Sequence, residues 1–197
     1  FLRSFSFGHC RQLEAANGHA LGRAWAAGAG PADPGLVIDI DSTICEVDGY
    51  AKQGAGFGYT HKLGYHPLLA TRSDTGEVLH ARMRKGSANT QRGVRRFLDE
   101  LVARVRRAGA TGELTVRFDS GFWSNDTITV LNRLDVRYTM AVRCGTKGIA
   151  AAIAPRLKPG AIVSDVGSVK LAVVNAVQPH LPSGVHFVPT HPVAGTE

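Results

Sequence analysis

Two aspartates, Asp41 and Asp119, stand where a pair of carboxylates could act on a phosphate ester. Asp41 ends the apolar run 36–41, and Asp119 directly follows a second apolar run, 114–118. Short apolar runs of this kind are typical of buried strands. Carboxylates held close together repel each other unless a cation lies between them, and Mg²⁺ prefers oxygen ligands. The pair therefore predicts a site for Mg²⁺ or Mn²⁺ that could support phosphodiester cleavage.

The elements that would position these aspartates predict a mixed α/β sheet. Apolar runs and amphipathic segments alternate in the order strand, hairpin, helix, strand, helix, strand. With the first strand at its centre, this order fits a sheet of the ribonuclease-H type and brings both aspartates to one region. The predicted elements are a strand at 36–41, a hairpin of 65–72 and 77–83, a helix at 90–107, a strand at 114–118, a helix at 124–134 and a strand at 136–142.

The predicted helix 90–107 carries the clearest local signal. Its apolar residues form one stripe at helical spacing. Asn89 or Thr90 can cap its start, and Gly109 follows its end. The arginines around this helix lie mostly off the stripe and make the densest basic region of the chain. That region predicts a DNA-binding surface formed by Arg82, Arg84, Lys85, Arg92, Arg95 and Arg96.

The overall charge also favours a nucleic-acid partner. The 197 residues carry a net charge of +7, and the pI is about 9.7. The excess lies in residues 1–148, which hold 20 Lys/Arg against 14 Asp/Glu. A basic surface attracts a phosphate backbone by Coulomb force and by counterion release. A basic face that is merely solvated is the alternative.

Composition excludes several other classes of protein. At 44% hydrophobic and 20% charged residues, the chain can form a core. Since no apolar run approaches the roughly 18–20 residues that span a bilayer, no membrane partner is expected. The three cysteines are far apart and form no C-x-x-C pair. They argue against a disulfide framework or a zinc ribbon and favour a cytoplasmic protein.

Five blocks within the first 148 residues resemble DDE transposases of bacterial insertion sequences. The resemblance implies metal-dependent DNA cleavage and strand transfer, with Asp41 and Asp119 as the first two catalytic carboxylates. It also implies DNA and other transposase subunits as partners. The blocks occur in the family's order at 37–43, 54–59, 63–69, 85–89 and 117–122.

The same resemblance predicts how the chain is divided. Residues 1–35 look like a truncated amino-terminal transposase segment, and 36–148 like a partial catalytic core. The family's third acid is a Glu on a later helix, and nothing in 149–197 fits it. We therefore predict an incomplete ribonuclease-H-like core that is inactive as an isolated chain.

Residues 149–197 predict a different fold, a partial Rossmann-type strand–helix–strand piece. The stretches 157–170 and 185–197 resemble prephenate dehydrogenase. That resemblance implies His191 as the acceptor of the substrate hydroxyl proton, and Ser168 as a residue that helps to orient either His191 or the substrate. It also implies NAD(P) contacts from Asp165, Gly167 and Ser168. Because the G-x-G-x-x-G phosphate loop is absent, we expect this segment not to bind NAD(P).

The two resemblances meet near 148–154, so we hypothesise a reading frame that joins two gene fragments. Three alternatives stay open. The chain could act as an NAD(P)-dependent prephenate dehydrogenase of tyrosine biosynthesis. It could be a non-catalytic basic DNA-binding module. Asp39-x-Asp41-x-Thr43 also matches the phosphatase signature of the haloacid-dehalogenase class, with Asp39 as nucleophile and Asp41 as general acid/base.

Overall fold

The chain folds into two compact units, Phe1–Val142 and Arg143–Glu197. The computed structural model describes residues 6–32, 34–49, 51–141, 148–165 and 170–190. Among these residues, no helix has the length and apolar character needed to cross a membrane. The division of function predicted at residue 148 stays a prediction.

In the described part of the first unit, eight strands form two sheets. The strands are β1 (Leu36–Ser42), β2 (Cys45–Glu46), β3 (Gly56–Phe57), β4 (Leu63–Tyr65), β5 (Leu68–Arg72), β6 (Val78–Arg82), β7 (Leu114–Phe118) and β8 (Arg137–Met140). The larger sheet has the predicted arrangement, because its five strands lie in the order β6-β5-β1-β7-β8, with the first strand at the centre. β5 runs antiparallel to both β1 and β6, whereas β7 is parallel to β1 and β8. This is a mixed sheet of the ribonuclease-H type.

One face of the five-stranded sheet is buried beneath helices. In β1, Leu36, Ile38 and Ile40 are at most 3% exposed, while the residues between them are partly or fully exposed. This alternation follows from the two-residue repeat of a strand. Helices α2 (Val94–Ala108) and α3 (Asn125–Arg133) contribute to the same core cluster. Each large apolar side chain buried there contributes roughly 1.5–3 kcal/mol.

The start of α2 differs from the sequence prediction. We expected a cap at Asn89 or Thr90. The Asn89 side chain accepts the Arg92 N–H at 2.9 Å and caps the turn that leads into the helix, but the cap position of the helix itself is Gly93, whose φ of 81° suits glycine. The carbonyl groups of Asn89 and Thr90 accept hydrogen bonds from Arg84. The predicted end at Gly109 is confirmed.

A helix that the sequence analysis did not predict, α1 (Phe7–Ala24), precedes the sheet. It packs against α2, and Leu21 and Trp25 at its end join the core. Its sequence is rich in alanine and glycine and has few large apolar residues, so its amphipathic signal is weak. The Trp25 indole N–H donates to Glu77 at 3.0 Å, which ties this end to the hairpin.

The glycine-rich segment 49–58 contains β3, one strand of a small sheet of order β2-β4-β3. Gly86 lies against this sheet, and a side chain at that position would collide with the carbonyl oxygens of Gly56 and Gly64. The glycine therefore allows the backbone to approach the small sheet closely.

Strand β6 carries a buried histidine that packs against α2. His80 is 2% exposed and stacks on Phe97 at a centroid distance of 4.6 Å. Burial, and then the charge of Arg104, lowers the pKa of His80 to about 4. The imidazole is therefore neutral in the folded protein at neutral pH, and its Nε2 lies 3.3 Å from Glu100 Oε2.

His80 is expected to make the protein less stable as pH falls from about 6.5 to about 4. The unfolded chain takes up a proton near 6.5, whereas the folded chain does so only near 4, so acidification in this window favours unfolding. The loss at pH 4 is up to about 3 kcal/mol. Urea unfolding of wild type and His80→Phe at pH 7 and pH 4 isolates this contribution. An equal pH 4 loss in both proteins would contradict it.

The second unit has the predicted strand–helix–strand order. Its strands β9 (Ile162–Asp165) and β10 (His186–Pro189) are parallel and form a two-stranded sheet. A short helix, α4 (Ile149–Ile153), precedes them, and α5 (Lys170–Val177) lies between them in the chain.

Candidate functional site

The candidate site lies where β1 and β7 end side by side. The two strands are parallel, and their last registered pair is Ile40 with Phe118. The next residue on each strand is an aspartate, Asp41 or Asp119. Neighbouring strands lie about 4.8 Å apart, so the register brings the two aspartates next to each other at the carboxyl ends of the two strands.

Both carboxylates are exposed. Ile40 and Phe118 point into the core, and successive side chains in a strand alternate between faces. Asp41 therefore projects to the solvent-facing side of the sheet, and Asp119 follows β7 as the first residue of a turn. Asp39 and Arg117, which form an ion pair at 2.5 Å, occupy that same face one pleat earlier.

Backbone amides fix one oxygen of each carboxylate. Asp41 Oδ1 accepts from the Ser42 N–H at 2.6 Å. Asp119 Oδ1 accepts from the Gly121 N–H at 3.0 Å and caps a single turn of 3₁₀-helix. Such local bonds hold each carboxylate in place without covering it.

Thr90 lies between the two strand ends. Its Oγ1 is 3.5 Å from Ser42 Oγ, beside Asp41. A Cβ placed on Gly121 would lie 3.3 Å from the same Thr90 oxygen and 3.2 Å from Asp119 Oδ1. Glycine at 121 therefore leaves room for Thr90 beside the Asp119 carboxylate.

The two carboxylates fit a hard divalent cation. Mg²⁺ commonly takes one or two protein carboxylates and completes its shell with water and phosphate oxygens. Within the described ranges, no group of three or more His, Cys, Asp or Glu side chains could hold a metal ion. Two exposed carboxylates leave the rest of an ion's shell to water and phosphate oxygens.

The phosphatase alternative is not supported by the position of Asp39. Arg117 binds both of its carboxylate oxygens, at 2.5 and 2.7 Å, and also donates to Ser73 Oγ at 2.7 Å. A carboxylate paired in this way is stabilised as an acceptor and is a poor nucleophile. Asp39 is better explained as a partner that orders the open face of the sheet.

Arg84 does not fit the predicted DNA-binding surface. It is 8% exposed, and its guanidinium donates to the carbonyl oxygens of His66, Asn89, Thr90 and Arg92 at 2.7–3.0 Å. Burial, and then the charge of Arg92, lowers the pKa of Arg84 to about 10. We correct its role to that of a buried cation that holds the segment around Thr90 in place.

The other predicted DNA-binding residues lie on the surface or near it. Lys85, Arg92, Arg95 and Arg96 are exposed, and Arg82 is partly exposed. Glu100 pairs with Arg82 and, at 2.8 Å, with Arg96. Arg92, Arg95 and Arg96 line a shallow hollow with the residues that begin α3. This surface stays a prediction.

Most of the predicted dehydrogenase residues cannot be placed. Gly167, Ser168 and His191 lie outside the described residues. Asp165 ends β9, and its side chain is 8% exposed and pairs with Lys170 at 2.5 Å. A cofactor could reach this carboxylate only if the pair opened. The NAD(P) contact of Asp165 therefore stays a prediction.

Comparison of the sequence with known protein families shows the family of the chain. Residues 11–173 match the family described as Transposase DDE domain group 1, so the chain belongs to that family. The match extends past the junction predicted at residue 148.

Individual relatives cover only parts of the chain and of themselves. Cyclohexadienyl dehydrogenase of Zymomonas mobilis is 51% identical over 49 residues, which make up 25% of this chain and 16% of that protein. The match to a piggyBac transposase synaptic complex with hairpin DNA has 19% sequence identity and a TM-score of 0.44, and it covers 66% of this chain and 27% of the piggyBac chain. The match to a Mos1 mariner paired-end complex with Mn has 12% sequence identity and a TM-score of 0.38, and it covers 61% of this chain and 39% of the Mos1 chain.

Proposed function

We propose that the first unit is part of the catalytic core of a DNA transposase, in which Asp41 and Asp119 bind Mg²⁺ or Mn²⁺. The observation that carries this proposal is the parallel β1–β7 register, whose extension by one residue pairs the two aspartates. Membership of the DDE family supports it. The reaction is metal-dependent DNA cleavage and strand transfer.

The side chains of this site position groups for that reaction. Each aspartate uses one oxygen to accept a backbone N–H, so its carboxylate keeps a fixed orientation. Thr90 packs between the two strand ends and keeps them together. When bound, the divalent ion supplies charge that favours deprotonation of a hydroxyl and stabilises the leaving oxygen.

Completion of the reaction requires groups beyond these two carboxylates. The family pattern has a third acid, a Glu on a later helix, in addition to Asp41 and Asp119. We therefore propose that DNA and further transposase subunits complete the active assembly. On its own, the chain is expected to leave DNA uncleaved. Because it spans 27–39% of the two transposase chains reported above, its activity is proposed for the assembly.

The test is whether DNA tightens the binding of Mn²⁺. A phosphate oxygen that completes the ion's shell strengthens metal binding, and by linkage the ion strengthens DNA binding equally. We expect a tenfold or larger fall in the apparent Kd for Mn²⁺, in order of magnitude, when a short duplex is added. Titration of DNA alone and of Asp41→Asn with DNA serve as controls. An unchanged Kd for the wild-type chain would contradict the proposed function.

We propose no separate activity for the second unit. Its match to the dehydrogenase covers 16% of that protein. Asp165 at the end of β9 forms an ion pair with Lys170, the first residue of α5. NAD(P) binding and a dehydrogenase role for His191 and Ser168 stay predictions from resemblance.

A further inference from the structure

An open groove of about 1350 Å³ runs between α1 and α2. Small residues of both helices line it, among them Ala15, Gly18 and Ala103. The helices approach each other at Gly22, where an added Cβ would lie 3.7 Å from Ala108 Cα. At Gly18 an added Cβ would meet nothing within 4 Å. The groove therefore widens from Gly22 toward the amino-terminal ends of the two helices.

The walls of this groove carry an excess of positive charge. Two of its three acids are already paired, Asp99 with Arg133 and Glu100 with Arg82 and Arg96. Four of its arginines make no ion pair with a carboxylate of the described residues. The groove's acids are Glu14, Asp99 and Glu100, and its arginines are Arg11, Arg23, Arg82, Arg96, Arg104 and Arg107.

The behaviour of His80 agrees with this charge. After burial, the charge of Arg104 is the strongest influence that lowers the pKa of His80, and Arg82 adds to it. Both arginines line the groove. Glu100, which pairs with Arg82, acts in the opposite direction and raises the pKa of His80.

One end of the groove lies at the edge of the sheet that carries the aspartates. Arg82 at the end of β6 is registered with Leu68 of β5, which is registered with Ser42 of β1. Two strand spacings, about 10 Å, separate these positions. From Arg96 to Arg107 the wall formed by α2 is about 16 Å long, which corresponds to about five base pairs of duplex DNA.

We propose that the groove between α1 and α2 binds the phosphate backbone of DNA and leads that DNA toward Asp41 and Asp119. The proposal rests on the proposed function and names a surface for its substrate. The guanidinium groups without a carboxylate partner suit phosphate, because arginine binds phosphate by two parallel hydrogen bonds. Recognition here is of backbone charge and does not depend on base sequence.

The test compares two triple variants that remove equal charge. Arg23→Gln/Arg104→Gln/Arg107→Gln alters the groove, whereas Arg137→Gln/Arg156→Gln/Lys158→Gln alters cations outside it. The probe is a fluorescein-labelled duplex of about 20 base pairs, long enough to exceed the groove. Its Kd is measured by anisotropy between 50 and 200 mM KCl, the range over which phosphate contacts are most visible.

The groove variant is expected to show a shallower dependence of log Kd on log salt. Each lost phosphate contact reduces the slope by about 0.9, so three reduce it by about 2.7. Over a fourfold rise in salt, the wild-type protein then loses about 40-fold more affinity than the groove variant. The slope of the outside variant should differ from the wild-type slope by no more than about 0.9, the contribution of one phosphate contact. A groove variant with the wild-type slope, or a wild-type chain that does not bind the duplex, overturns the proposal.

Two further measurements distinguish DNA binding in the groove from binding of an acidic protein and from the proposed metal site. Titration with labelled polyglutamate tests an acidic protein as the occupant, and tighter, arginine-dependent binding of polyglutamate than of DNA overturns the assignment to DNA. Circular dichroism and Mn²⁺ titration of the groove variant should match the wild type. If the wild-type chain binds no Mn²⁺ but keeps the arginine-dependent salt slope, the proposed function fails while the groove assignment stands.

Discussion

Replacement of Asp119 by Asn is expected to abolish the stabilisation that Mn²⁺ gives to the wild-type chain, and Asp41→Asn is expected to do the same. An ion that binds only the folded state stabilises it by RT ln(1 + [L]/Kd), or about 2.7 kcal/mol at one hundred times Kd. Removing one carboxylate leaves the other alone and exposed, and a single exposed carboxylate binds divalent ions weakly. Urea unfolding with and without MnCl₂ measures the gain.

Asp135→Asn is the matched control for these substitutions. Asp135 is exposed and has a φ of 52°, a conformation that asparagine tolerates as well as aspartate does. This variant removes the same charge away from the strand ends and should keep the full Mn²⁺ gain. The account is wrong if Asp119→Asn keeps the wild-type gain, or if Asp135→Asn loses it equally.

Arg84→Ala should lower the free energy of unfolding by about 3–5 kcal/mol. The buried guanidinium bonds four carbonyl oxygens that hold the segment 89–92. Its removal takes a donor from all four, although the Asn89 carbonyl keeps the Arg92 N–H, and each buried unsatisfied acceptor costs about 1–3 kcal/mol before relaxation. Urea unfolding at neutral pH measures the loss.

Lys85→Ala separates this structural role from DNA binding. Lys85 is adjacent in the chain and also cationic, but it is exposed, so its loss should change stability by less than about 0.5 kcal/mol. If both variants have the same stability, the buried network around Arg84 does not hold this segment. Because Thr90 belongs to that segment, Arg84→Ala should also weaken Mn²⁺ binding, whereas Lys85→Ala should not.

The order of the sheet could be predicted because each strand carries a strong local signal. The runs 36–41 and 114–118 both carry an apolar residue at every second position before the aspartate, Leu36, Ile38 and Ile40 in one run and Leu114, Val116 and Phe118 in the other. Parallel pairing of two such strands then places Asp41 beside Asp119 without any knowledge of side-chain contacts. The first helix was missed for the opposite reason, since α1 buries few apolar side chains and much of its contact surface is alanine and glycine.

The parts of the site that depend on tertiary contacts could not be read from the sequence. Arg84 and Lys85 are neighbours of like charge, yet one is buried by carbonyl groups that only the folded turn brings together. The groove arginines of α1 are remote in sequence from those of α2, so no local cluster marks them. Thr90 was predicted as a helix cap, and its place between the strand ends arises because α2 begins at Val94.

The most direct measurement is anomalous diffraction from crystals of this chain soaked in Mn²⁺. The account predicts one strong manganese peak within about 2.0–2.4 Å of a carboxylate oxygen of Asp41 and of Asp119, a range expected for hard divalent ions. The same soak of Asp119→Asn crystals should lack the peak. A manganese peak that contacts neither aspartate, or no peak in well-ordered wild-type crystals at saturating Mn²⁺, would contradict the account.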